Sequence, residues 1–136
     1  MHDAIEAFAD HVINTGLDDI PDSAIASAKT FLLDTIGVGL AGSTGPHVQD
    51  LLLTCGGHGP SRILGQSLST TPEYAALVNG YQIHNSEFDC VHEAAVIHTM
   101  TVLLAALLAD ADRREPRLQK WNVKSAWDHI CLRNQR

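Results

Sequence analysis

Residues 84–98 carry the side chains best suited to chemistry. His84-Asn85-Ser86-Glu87-Phe88-Asp89-Cys90-Val91-His92-Glu93, followed by His98, puts three imidazoles and three carboxylates into one short stretch. Histidine titrates near neutrality, and a carboxylate drawn out of water holds its proton more tightly. Together such groups can donate and accept protons in general acid–base catalysis. The residue types leave three readings open. The first is a proton-transfer site. The second is a metal site drawn from Asp89, Cys90, His92 and His98. The third is a set of polar groups that cap a loop and two helices. His92-Glu93-Ala94-Ala95-Val96 begins like an HExxH zinc motif but has Val96 where the second histidine belongs. The remaining spacings match no common zinc module. Cys90 has histidines nearby, as a thiolate nucleophile would need. Cys55 falls at helical spacing from Leu51 and Leu52 and reads as apolar packing. His11, His47, His58 and His129 read as ordinary surface or core histidines.

Helices must hold this stretch in place. Ala4, Ile5, Phe8, Ala9, Val12 and Ile13 recur at helical spacing, so residues 3–15 are expected to form an amphipathic helix ended by Gly16. Pro21 suits the first turn of a second helix, carried on by Ala24, Ile25, Ala28, Phe31, Leu32, Thr35, Ile36 and Leu40. Gly37 and Gly39 each cost a helix about 1 kcal/mol relative to Ala, which suggests close approach by another helix. Gly42 to Pro46 reads as a loop. Val48, Leu51, Leu52 and Cys55 predict a short third helix, and Arg62-Ile63-Leu64-Gly65 a brief extended piece. Thr71 and Pro72 have the chemistry of an N-cap and first helical residue. The following helix reaches His84, with Asn79-Gly80 as a small-residue contact inside it. Residues 85–97 read as irregular, and Thr99–Asp112 as a last apolar helix. The expected class is therefore mostly all-α.

Charge divides the chain. Residues 1–112 hold Lys29 and Arg62 against 14 acids, a net of −12, whereas residues 113–136 hold seven bases and two acids, a net of +5. Both tryptophans, Trp121 and Trp127, lie in the second part. The break predicts a helical region over 1–112 and a separate basic tail over 113–136. No nucleic-acid motif accompanies the tail, and the acidic body repels phosphate, so nucleic-acid binding is not expected. Met100–Ala109 is the longest apolar stretch and is far short of the roughly 20 residues a bilayer requires. No membrane partner is expected. The acidic N-terminus resembles no export or transit signal. With three unpaired-looking cysteines, this points to the cytoplasm, the mitochondrial matrix also being compatible.

Several segments together resemble the MmgE/PrpD family. Phe31-Leu32-Leu33-Asp34-Thr35-Ile36-Gly37-Val38-Gly39-Leu40-Ala41-Gly42 is similar to its N-terminal signature. Arg62-Ile63-Leu64-Gly65 and Ala75-Ala76-Leu77-Val78-Asn79-Gly80-Tyr81-Gln82-Ile83-His84 resemble the segments that follow it. Glu87-Phe88-Asp89-Cys90 stands at the family's DFDD segment and His98 at its His-Pro pair. The resemblance covers roughly residues 5–112.

The resemblance implies the N-terminal part of a large helical domain, without the family's α/β lid. It implies a lyase of the 2-methylcitrate dehydratase type, with cis-aconitate decarboxylase-like activity as the alternative, acting on a small di- or tricarboxylate by general acid–base proton transfer without metal or organic cofactor. It implies homodimers, or pairing of this chain with a longer homologue. Carried over by position, His98, Asp89 and Glu87 are the expected catalytic groups, and His92 and His84 the expected substrate-binding ones. The departures are Glu87 for Asp, Cys90 for Asp, and Thr99 for Pro. Substrate carboxylates call for Arg or Lys, and residues 1–112 offer only Lys29 and Arg62. The chain by itself is therefore expected to be inactive or nearly so, or to act as a non-catalytic remnant.

Overall fold

The computed structural model describes residues 3–114, which belong to two compact units divided between Lys29 and Thr30. The described residues form five α-helices, one 3₁₀ turn and two two-residue strands, a mostly helical fold. The proposed tail lies outside the described residues except for its first two positions.

In the first unit, α1 spans Ala4–Asn14. Asp3 caps it, its carboxylate accepting from Ile5 N at 3.1 Å, and Thr15 N closes the last turn on His11 O at 3.0 Å. The helix forms where the periodicity predicts, yet Ile5 and Phe8 are each 72% exposed. Gly16 opens a single 3₁₀ turn, Leu17–Asp19, instead of capping α1.

Helix α2 spans Asp22–Gly42 and runs from the first unit into the second. It is long and apolar enough to cross a bilayer by length and composition, a property that the reading of Met100–Ala109 did not anticipate. Its C-terminal end packs on the rest of the second unit. A Cβ added at Gly39 would lie 2.9 Å from Leu64 Cδ1 and 3.0 Å from Ile83 Cγ1. Gly37, by contrast, has nothing within 4 Å. Close approach thus explains Gly39 but not Gly37.

Helix α3 spans Val48–Cys55 and gives Val48, Leu52 and Cys55 to a core completed by Ile63 and Val78. Cys55 is 4% exposed, as apolar packing requires. The extended piece near Arg62 is strand β1, Ser61–Arg62, paired antiparallel with β2, Ser69–Thr70. The sequence offered no signal for β2. So short a ladder leaves most backbone groups to other partners. Ser61 Oγ donates to Ala109 O at 2.7 Å and Arg62 N to Asp112 Oδ2 at 2.8 Å. Arg62 Nη2 reaches Asp112 Oδ1 at 2.7 Å. The strand is therefore anchored to α5, Thr99–Arg114.

Helix α4 spans Pro72–His84. Helix α5 packs on it beside Gly80, where an added Cβ would meet Ala105 Cβ at an ordinary 3.6 Å, so this approach does not itself require a glycine. Asn79 is fully buried and works as a clamp. Its Oδ1 accepts from Leu64 N at 2.8 Å and its Nδ2 donates to Arg62 O at 3.1 Å. Gln82, one turn on and equally buried, has no partner for either amide atom. The two amides predict opposite outcomes. Asn79→Leu strands two backbone groups and is expected to cost roughly 2–4 kcal/mol. Gln82→Met removes an unpaired amide at similar volume and is expected to raise stability by about 1 kcal/mol or more. Thermal melts of the two variants check both signs.

Candidate active site

The loop between α4 and α5 returns on itself. His92 N donates to Ile97 O at 2.9 Å, forming an isolated antiparallel bridge. Glu87 and Val96 take left-handed backbone angles, φ 52° and 51°. For a β-branched residue such as Val96 this conformation is uncommon. The return path places His98 beside His84, with ring centroids 4.7 Å apart and planes at 67°.

Asp89 lies between the two rings with its side chain fully buried. Both carboxylate oxygens are 3.1 Å from His84 Nδ1. His98 Nδ1 is 2.9 Å from Asp89 Oδ2. That distance suits a hydrogen bond, but its direction does not, leaving His98 Nδ1 without a bonded partner and the contact mainly electrostatic. Thr101, in the first turn of α5, donates its hydroxyl to Asp89 Oδ2. Burial by itself would raise the Asp89 pKa. Hydrogen bonds from Thr101 and His84, and the positive charge of His84 and His98, outweigh burial and hold it below the usual carboxylate range.

The structure thus brings together His84, Asp89 and His98 from the sequence-derived set. Thr101 was missed, because a threonine one turn into an apolar helix carries no chemical signal in sequence. Glu87 and Cys90 stand outside the cluster, Glu87 exposed and Cys90 half-buried. His92 is exposed, its Nδ1 accepting from Ala95 N at 3.2 Å within the turn.

At His84, whose Nδ1 is hydrogen-bonded to Asp89, the carboxylate favours a proton on that nitrogen and leaves the lone pair of Nε2 free to act as a base. Both rings border a groove of about 960 Å³ between α4 and α5, whose walls include Leu77, Tyr81, Val102 and Leu103. An apolar groove with a few convergent polar groups has the character of a small-molecule site. The two guanidinium groups with described side chains are already paired, Arg62 with Asp112 and Arg113 with Asp110.

The MmgE/PrpD N-terminal domain model matches residues 6–124. The chain belongs to the MmgE/PrpD family. The match passes the charge break at residue 113 and runs into the basic segment. The chain is 36% identical to the cis-aconitate decarboxylase-like protein oryM of Aspergillus oryzae over 69% of its length. It is 30% identical to the Homo sapiens cis-aconitate decarboxylase over 90% of its length, and 28% identical to the Aspergillus terreus enzyme over 73%. It spans only 20%, 27% and 21% of those three proteins.

The depressed Asp89 pKa links this side-chain cluster of the MmgE/PrpD chain to folding. A lowered folded-state pKa favours the anion in the native protein. Its contribution is present above the unfolded value, about 3.9, and is lost as pH falls through the lower folded value. Thr101→Val removes a hydroxyl donor that lowers this pKa. The acid-unfolding midpoint is expected to move to higher pH in the variant, measured by far-UV circular dichroism. An unchanged midpoint counts against the linkage.

Proposed function

We propose that this chain supplies the proton-transfer groups of a lyase acting on a small tricarboxylate, with decarboxylation of a cis-aconitate-like acid as the reaction. The observation that carries the reading is the pairing of two imidazoles with one buried carboxylate at the edge of the groove. The names of the three relatives favour decarboxylation over the dehydration of 2-methylcitrate.

In this reading the carbon–carboxylate bond breaks, CO2 leaves, and the electron pair shifts along the adjacent double bond. The carbon at its far end takes a proton from the His98 imidazolium, which regains one from water. Asp89 stabilises the imidazolium and holds the ring, and Thr101 holds Asp89. His84 shares the carboxylate and borders the same groove, placing a second titratable group near the substrate. His92 and Glu87, on the exposed side of the loop, remain candidates for contact with substrate.

Among the described side chains of the second unit, no unpaired Arg or Lys is available to clamp substrate carboxylates. The chain by itself is accordingly expected to turn substrate over very slowly or not at all. Full activity would need cationic groups from further sequence or from a partner copy. The test is product analysis with isotopically labelled cis-aconitate and 2-methylcitrate, on the chain alone and combined with a longer homologue. Release of CO2 from the first supports the reading. Loss of water from the second, with no CO2 from the first, overturns it in favour of a dehydratase.

A further inference from the structure

We propose that His84, Asp89 and His98 form a binding site for a divalent transition-metal ion of the zinc class. Two imidazoles and one carboxylate each offer a ligand atom, and the three atoms lie within 4.8 Å of one another. Asp89 is 3.1 Å from His84 Nδ1 and 2.9 Å from His98 Nδ1. Ligands bonded at about 2.1 Å to one small cation stand roughly 3.0–3.4 Å apart in octahedral or tetrahedral arrangement. The carboxylate therefore already stands near coordination spacing from each ring. A modest rotation of His84, whose side chain is 49% exposed, would complete the set.

The donor types select the ion. Two nitrogens and one carboxylate, with further positions open, match catalytic-type zinc coordination. Calcium takes six to eight oxygens, and magnesium retains water with oxygen ligands, so neither suits this site. Thr101 would hold the ligating carboxylate from behind, a support that commonly changes metal affinity about 10–100-fold. The sequence reading of a metal site named Asp89, Cys90, His92 and His98. The structure replaces Cys90 and His92 with His84, because the loop turns the α4 terminus toward Asp89 while His92 faces solvent.

The binding does not depend on the activity proposed above, although its consequence does. An ion on the imidazoles would displace the protons that the lyase reading uses, so zinc would act as an inhibitor at this site.

The experiment is calorimetric titration of the full, metal-free chain with Zn²⁺, followed by Co²⁺ and its visible absorption. One ion per chain is expected, with affinity falling roughly tenfold or more in His84→Gln and in His98→Gln. His47→Gln, which alters an exposed pair with Asp50 elsewhere, is expected to bind as wild type does. Melts of the metal-free variants establish that each is folded, His84→Gln being the mildest because that ring is half exposed. Absence of binding, or binding equally strong in the His84 and His98 variants, overturns the proposal. Since binding rather than turnover is measured, the outcome is separate from that of the lyase reading.

Discussion

His98→Gln is expected to lower kcat by about 10²–10⁴-fold, the usual share of a positioned general acid or base. The measurement is CO2 release from cis-aconitate by the active protein or complex that contains this chain. KM should change little if, as proposed, the imidazole acts on the reacting carbon, because the substrate carboxylates need cations for their grip. Gln preserves much of the ring's volume and some of its hydrogen bonding but cannot titrate. Asp89→Asn should also be slow, since a neutral amide neither stabilises the imidazolium nor favours the Nδ1 proton. His84→Gln provides the internal comparison. Its ring shares Asp89 but is the more exposed, 49% against 35% for the His98 side chain, so a smaller loss is expected. A His98→Gln rate within a few-fold of wild type would remove His98 from the chemistry.

The second large effect concerns folding. Gly42→Ala places a Cβ 1.9 Å from the backbone oxygen of Gln82 and 2.8 Å from Asn85 Oδ1. A backbone carbonyl inside a helix cannot swing aside as a flexible side chain would. The end of α2 must therefore withdraw from α4. That movement also strains the 3.0 Å bond from Asn85 Nδ2 to Gly42 O. The expected cost is roughly 2–4 kcal/mol, enough to lower Tm by many degrees in a domain of this size. Because Asn85 directly follows His84, the cluster of His84, Asp89 and His98 should loosen as well. Gly37→Ala is the control, five residues earlier on the same helix. Nothing lies within 4 Å of its added methyl, so it should gain up to about 1 kcal/mol from helix propensity. Circular-dichroism melts of the pair decide the matter. Equal shifts for the two variants would show that the contact at Gly42 is not as close as described.

The sequence by itself determined what depends on near neighbours. The apolar period marked α1 and α3, and α4 from the Thr71-Pro72 start to His84, because a helix repeats every 3.6 residues. It marked α5 from Thr99, with an end only two residues short of the observed Arg114. The Asn79-Gly80 pair was legible as helical because apolar residues on both sides keep the same phase. His98 and Asp89 were legible as chemical groups, and the family motifs ordered them.

Tertiary structure decided the rest. Gly37 and Gly39 look alike in sequence, and only the approach of Leu64 and Ile83 separates them, while Gly42, which reads as the start of a loop, lies in α2 against Gln82. Strand β2 depends on pairing with Ser61 and Arg62, not on any pattern within Ser69-Thr70. The joint hold of His84, His98 and Thr101 on Asp89 depends on the turns at Glu87 and Val96. No spacing rule reports such a path, because backbone angles in an irregular loop are set by what the loop packs against. Periodicity is a local property and can be read along the chain, whereas the convergence of residues 84, 89, 98 and 101 exists only once α4 and α5 have closed on each other.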